Sequence, residues 1–243
     1  MQKPCPGDRV FALHFNQLIS QTDPSMHLLP AYIDHTLLHP TASETDIRKC
    51  CEEAWIHQFK AICIAPSYVK YVREMMEFCP THIETVTVIG FPFGYATTAT
   101  KIQEAKQALQ DGATELDIVI NMSQFKSMAY LSVQEELTEL VQLTHAHQAL
   151  AKIIIETAYL DSFELHTACE MCVEAKADFV KTSTGYAPEG ANVEIVRTLK
   201  SILPQTVKIK ASGGIRNYDQ AWALIEAGAD RIGTSKAVDM VQH

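Results

Sequence analysis

A chain of 243 residues with 47% hydrophobic and 20% charged side chains is long enough to bury a sizeable core and has an ordinary globular composition. A net charge of -9 argues against nucleic acid or an anionic membrane as partner, although a few backbone N–H groups and one or two cations suffice to hold a phosphate. Seven cysteines, an odd number, do not suggest a disulfide framework and point to a reduced, cytoplasmic compartment.

No run reaches the ~18 apolar residues of a membrane span, and the N-terminus lacks the charged-then-apolar plan of a secretion signal. Residues 1 to about 29 read as an N-terminal extension. Pro4, Pro6 and Gly7 argue against an early helix there, while VFALHFNQLI (10–19) is compatible with a short one. From Ala31 onward, short apolar runs alternate with amphipathic stretches. The runs are YIDHT (32–36), KAICI (60–64), TVTVI (85–89), ELDIVI (115–120), KIIIE (152–156), DFVKT (178–182), VKIKAS (207–212) and RIGTS (231–235). Helical patterns between them include Ser43 to His57, Ser67 to Phe78, Thr97 to Gln110, Val133 to Leu150 and Ser162 to Glu174. Ser43 with Asp46, and Asp161 with Glu164, have the spacing of capping boxes.

Strands alternating with helices predict βαβ units and a parallel sheet. Eight units in about 205 residues predict a closed (β/α)8 TIM barrel, one domain over residues 30–243. A doubly wound open sheet is the alternative, weakened by the lack of GxGxxG after the first run. In a barrel, functional side chains stand at the C-terminal ends of the strands. The runs place Asp34, Cys63, Asp117, Glu156, Lys181 and Lys210 there, with the turn GFPFG (90–94) after the third. A single strand-end lysine reads as a snorkelling side chain. Acids and lysines converging on one mouth do not.

Pleat alternation puts Glu115, Asp117, Val119 and Asn121 on one face, so Asp117 points inward and needs a cation; Lys181 and Lys210 are available. Lys208 shares the face of Lys210 one pleat nearer the barrel floor and reads as structural. A lysine amine is nucleophilic only when neutral, and a second ammonium nearby disfavours its protonation. Such an amine can form a Schiff base whose iminium is an electron sink. Neither metal nor cofactor is expected, since HExxH and a clustered Cys/His set are lacking. Cys169 and Cys172 form a CxxC within a helical pattern and read as packing; His145 and His147, two apart on a helix, face different ways. ASGGIR (211–216) and RIGTS follow the seventh and form the eighth run, where this type of barrel cradles phosphate. Two tight glycine turns without a ligand are the bland alternative.

The motifs DFVKTSTGY (178–186), KASGGIR (210–216), AICIAPS (61–67), ELDIVINM (115–122), KIIIETAYL (152–160) and AGADRIGTS (227–235) resemble the deoxyribose-phosphate aldolase family, from about Tyr32 to Ser235. The resemblance implies reversible cleavage of 2-deoxy-D-ribose 5-phosphate to acetaldehyde and D-glyceraldehyde 3-phosphate by a class I mechanism. It implies Lys181 as the Schiff-base lysine, Lys210 as the lysine that tunes it, and Asp117 as proton donor and acceptor, acting with a water. Asp34 would support the polar network, with Cys63 and Glu156 at neighbouring strand ends. Gly185, Gly213, Gly214, Gly233 and Ser235 would hold the phosphate. Partners would be the sugar phosphate and acetaldehyde; a homo-oligomer is left open. Three positions depart from common family patterns. Tyr186 follows Gly185, where some members carry a lysine and others an aromatic. Lys236 follows Ser235, where a small residue is common. No tyrosine lies after Tyr218, whereas some members carry one in a C-terminal tail; a different proton relay is then open. A class I aldolase with another aldehyde acceptor and a sugar-phosphate binder without turnover stand as alternatives.

Overall fold

Runs rich in Ile and Val, too short for helices, become parallel strands buried on both faces. The computed structural model describes residues 28–242, apart from 78 and 80. The expected short helix at 10–19, with nearly all of the N-terminal extension, lies outside the described residues. The strands are β1 (Ile33–Leu37), β2 (Ala61–Ile64), β3 (Glu84–Ile89), β4 (Glu115–Val119), β5 (Leu150–Ile154), β6 (Phe179–Lys181), β7 (Lys208–Ser212) and β8 (Arg231–Thr234). They pair in sequence order, all parallel, and β8 closes on β1 through Ile33 opposite Ile232 and Asp34 opposite Gly233. The (β/α)8 barrel read from the sequence is therefore the fold, and the open sheet is excluded by that closure.

The helices are α1 (Glu44–His57), α2 (Val69–Met76), α3 (Thr98–Gln110), α4 (Met122–Lys126), α5 (Tyr130–Ala146), α6 (Ser162–Glu174), α7 (Val193–Ile202), α8 (Tyr218–Glu226) and α9 (Ala237–Val241). Both expected capping boxes are formed: Ser43 and Asp46 exchange side-chain and backbone bonds at the start of α1, as do Asp161 and Glu164 at α6. One expectation is corrected. The helical pattern drawn from Val133 to Leu150 overruns its end, because Gln148 takes a left-handed φ of 59° and Leu150 already pairs with Glu115 in the sheet. Apolar residues alone cannot mark that boundary; the reversal of the chain does.

The main apolar core lies between the helices and the outward faces of the strands, for example Ile47, Ile62, Leu116, Leu137, Ile153 and Ile209. The inside of the barrel divides in two. Ala61, Cys63, Val86 and Val88 of β2 and β3 form a small apolar cluster with Leu38 and Phe91. The remaining strands turn charged side chains inward.

Candidate active site

Asp117 stands at the middle of β4, fully buried, with its side chain on the inner face that the pleat assigns it. Three lysine side chains meet it. Lys152 of β5 donates to Oδ1 at 3.0 Å, while Lys181 of β6 and Lys210 of β7 donate to Oδ2 at 2.8 and 2.7 Å. The two lysines expected at the mouth thus share a single carboxylate oxygen. Lys210 also forms an ion pair with Asp34 Oδ2 at 2.5 Å. Asp34 Oδ1 accepts from Arg231 Nε at 2.7 Å and is touched by a second guanidinium nitrogen. Arg231 reaches across to Glu115 at 3.2 and 3.1 Å, and Lys152 closes the ring to Glu115 at 2.5 Å.

These contacts fix charge states. Burial acts to raise the Asp117 carboxyl, but Lys152, Lys181 and Lys210 overcome it and hold it well below the ordinary carboxylate range. Burial likewise opposes ionisation of Asp34, yet Lys210, Arg231 and Lys152 bring it down to about 2. For Lys210, burial disfavours the ammonium; Asp117 and Asp34 outweigh it and raise its proton affinity above the ordinary lysine value. Asp117 is an anion and Lys210 a cation at neutral pH. Lys181, 3% exposed, is the lysine of the three with any surface open to the mouth.

Cys63 is buried in the apolar half of the interior, and its thiol is pushed up by burial. Glu156 does not join the cluster. It lies past the end of β5 with a left-handed φ of 47°, and its carboxylate accepts the Thr184 N–H at 3.1 Å together with the Thr184 hydroxyl. It anchors the loop after β6. That loop is also stitched to the end of β7: Thr182 Oγ1 donates to the Ser212 carbonyl and accepts the Ser212 N–H, both at 3.1 Å, and Ser212 Oγ donates to the Ser183 carbonyl at 2.6 Å.

Gly213 and Gly214 turn with φ of 87° and 75°, which disfavours a side chain at either. Among the described residues nothing lies within 4 Å of a Cβ placed on Gly214, so its face is open to them. Gly185 packs on Gly213, and a Cβ on Gly190 would sit 2.1 Å from the Gly213 carbonyl oxygen. Gly233 has a different reason for being glycine: a Cβ there would press on Ser212 Cβ at 3.0 Å and Lys210 Cε at 3.2 Å. Ser235 is exposed at the start of the final turn, and Thr234 ties this loop to the preceding one through the Ile215 carbonyl at 2.9 Å.

Lys152, Glu115 and Arg231 belong to the cluster and are absent from the site drawn from strand ends. The signal was in the pleat: Lys152 shares a face with Ile154 and Glu156, and Arg231 with Gly233. The remaining readings are consistent with packing roles. Lys208 is exposed with Nζ 5.7 Å from the Phe179 ring centroid. His145 pairs with Asp178 at 2.8 Å, and Cys169 and Cys172 are free and buried in α6.

A family profile, DeoC/LacD family aldolase, matches residues 29–240. The chain belongs to the DeoC/LacD aldolase family. It is 47% identical to a deoxyribose-phosphate aldolase of Thermococcus gammatolerans, over 87% of this chain and 94% of the relative. Among solved structures, the aldolase QR15 superimposes with a TM-score of 0.83 at 43% identity, covering 88% of this chain and 94% of that one. A deoxyribose phosphate aldolase of Aeropyrum pernix, described as a unique tetramer, gives 0.83 at 34% identity, covering 98% and 97%. As an aldolase the chain is a carbon–carbon lyase. In this aldolase Tyr186 forms one wall of the mouth, edge-on to Phe91 at 5.5 Å, with its hydroxyl donating to the Leu38 carbonyl at 3.4 Å.

Proposed function

We propose that this protein cleaves 2-deoxy-D-ribose 5-phosphate reversibly to acetaldehyde and D-glyceraldehyde 3-phosphate through a Schiff base on Lys181. The observation that carries the reading is that Lys181, at the open end of a buried charge cluster, shares Asp117 Oδ2 with a Lys210 that stays cationic. Family membership and the names of the relatives support the substrate.

The chemistry follows from those groups. The Lys181 amine adds to the C1 aldehyde of the open-chain sugar, and loss of water gives an iminium. The C3 hydroxyl gives up its proton, the C2–C3 bond breaks, and its electron pair passes into the iminium. The sugar's C3 becomes the aldehyde carbon of the departing glyceraldehyde 3-phosphate, and an enamine stays on Lys181. A proton added at C2 regenerates the iminium, and water hydrolyses it to acetaldehyde and free Lys181. Asp117, an anion held by Lys152 and Lys210 beside Lys181, is the acceptor through which a proton and a water are handled beside the bound carbon chain. Lys210 disfavours a second ammonium at Lys181 and so frees the amine. The turn at Gly213 and Gly214, with Gly185, Gly233 and Ser235, offers backbone N–H groups and a hydroxyl to the 5-phosphate. Six free thiols among the described residues support a reducing, cytoplasmic setting, and the tetrameric relative supports a homo-oligomer.

The test is turnover of the pure protein. It should release acetaldehyde and glyceraldehyde 3-phosphate from 2-deoxy-D-ribose 5-phosphate, prefer this substrate to free deoxyribose, and keep its rate in excess chelator, because the iminium supplies the electron sink. Failure to release either product contradicts the reading. Activity lost to chelator and restored by zinc or magnesium contradicts the Schiff base.

A further inference from the structure

The charges inside the barrel do not cancel. Asp34, Glu115 and Asp117 face Lys152, Lys181, Lys210 and Arg231, three carboxylates against four cationic side chains. Among the described residues, the other inward positions add no buried, unpaired charge to this space. β2 contributes the Cys63 thiol and β3 contributes Val86 and Val88; Glu84 at the foot of β3 pairs with Lys60 and His82, Lys208 at the foot of β7 is exposed, and Glu156 beyond β5 is turned to Thr184. A buried cluster with one cation in excess is relieved by the loss of a single proton. Arg231 cannot lose it, because a guanidinium stays protonated. Lys210 is held by two carboxylates and Lys152 by two, at 2.5 and 2.7 Å and at 2.5 and 3.0 Å. Among the described carboxylates Lys181 touches Asp117 alone.

We propose that Arg231 and Glu115, which belong to the cluster without touching Lys181, are positioning residues that set its charge count and thereby the pH at which Lys181 becomes a free amine. Arg231 supplies the permanent positive charge that makes a lysine the surplus cation. Glu115 limits that surplus to one by holding Arg231 and Lys152 together. The pair acts at a distance, through Asp34 to Lys210 on one side and through Lys152 to Asp117 on the other. This inference rests on Lys181 being the imine-forming residue.

Two substitutions with opposite signs test it. Arg231→Met removes the surplus, so a neutral Lys181 leaves the cluster with a net negative charge. The pH midpoint for borohydride trapping of acetaldehyde on Lys181 should move up by about one unit. Glu115→Gln, nearly isosteric, raises the surplus to two and should move the midpoint down by a similar amount. The double variant should return toward the wild-type midpoint. A merely structural role would lower the yield of trapping in both single variants without moving the midpoints in opposite directions, and that result overturns the proposal. If Arg231→Met does not fold by circular dichroism, Glu115→Gln decides alone: an unmoved or raised midpoint overturns it. Absence of a Lys181 adduct in the wild-type protein at every pH would instead refute the Schiff-base reading on which the inference rests.

Discussion

At the scale of single residues, the proposed Schiff-base lysine, Lys181, sits among its neighbours' charges. Lys210 bridges Asp34 and Asp117, and Gly233 leaves the space through which its chain passes. Lys210→Leu removes an ammonium that shares an oxygen with Lys181. Trapping of acetaldehyde near pH 7.5 should fall ~100-fold and recover in part toward pH 10. An equal loss at every pH would mean that Lys210 acts by placement or proton transfer. The same cluster makes stability depend on pH. Asp34 is lowered from 3.8 to about 2, so its contribution is complete above about pH 4 and is lost as the pH falls toward 2. The amount is about 2 kcal/mol. Asp117, also depressed, adds a loss of the same sign at lower pH. Lys210 has the opposite sense: raised in the fold, its contribution is full below the ordinary lysine range and is lost only as pH rises through that raised value. Urea midpoints measured from pH 6 to pH 2 should drop steeply below pH 4, and Asp34→Asn should be weaker at pH 6 but flatter in acid. A parallel pH dependence in wild type and variant would contradict the ion-pair assignment.

At the scale of elements, the ends of β6 and β7 act as one unit. Thr182→Val keeps the shape but leaves the buried Ser212 N–H and carbonyl without the Thr182 hydroxyl, a change that costs about 1–3 kcal/mol. Gly190→Ala would drive a methyl into the Gly213 carbonyl and shift the turn next to the open face of Gly214. Its expected signature is selective: kcat/KM for the 5-phosphate falls about tenfold or more, while that for free deoxyribose changes little, as for the loss of one charge-assisted hydrogen bond. Equal losses on both substrates would remove the phosphate from this turn. The helix caps are independent of chemistry. Ser43→Ala should lower stability by ~1 kcal/mol with turnover unchanged, read from denaturant midpoints and steady-state rates.

At the scale of the whole molecule, the order of strands was legible because each apolar run is short, β-branched and separated by a helical pattern, and closure follows from eight such units. Lys181, Lys210, Asp117 and Asp34 were legible as one constellation because a barrel brings its strand ends together. Lys152, Glu115 and Arg231 were not assigned to it, although the pleat puts Glu115 on the face of Asp117, because only strand ends read as site positions; their charges are tolerated lower in the barrel because each is paired with another from a different strand. Glu156 shows the converse: the strand end predicts proximity to the mouth, but a left-handed turn redirects its carboxylate to Thr184. His35, buried in β1 and bonded to Glu53 of α1 at 2.8 Å, likewise needs the docked helix before its partner can be known. The proposed role of the cluster is to present a neutral Lys181 to an aldehyde. Mass spectrometry after acetaldehyde and borohydride tests it most directly. The account predicts a two-carbon adduct on the peptide containing Lys181 and none in a folded Lys181→Ala variant; an adduct on Lys152, Lys210 or another lysine, or none in protein that turns over, would contradict it.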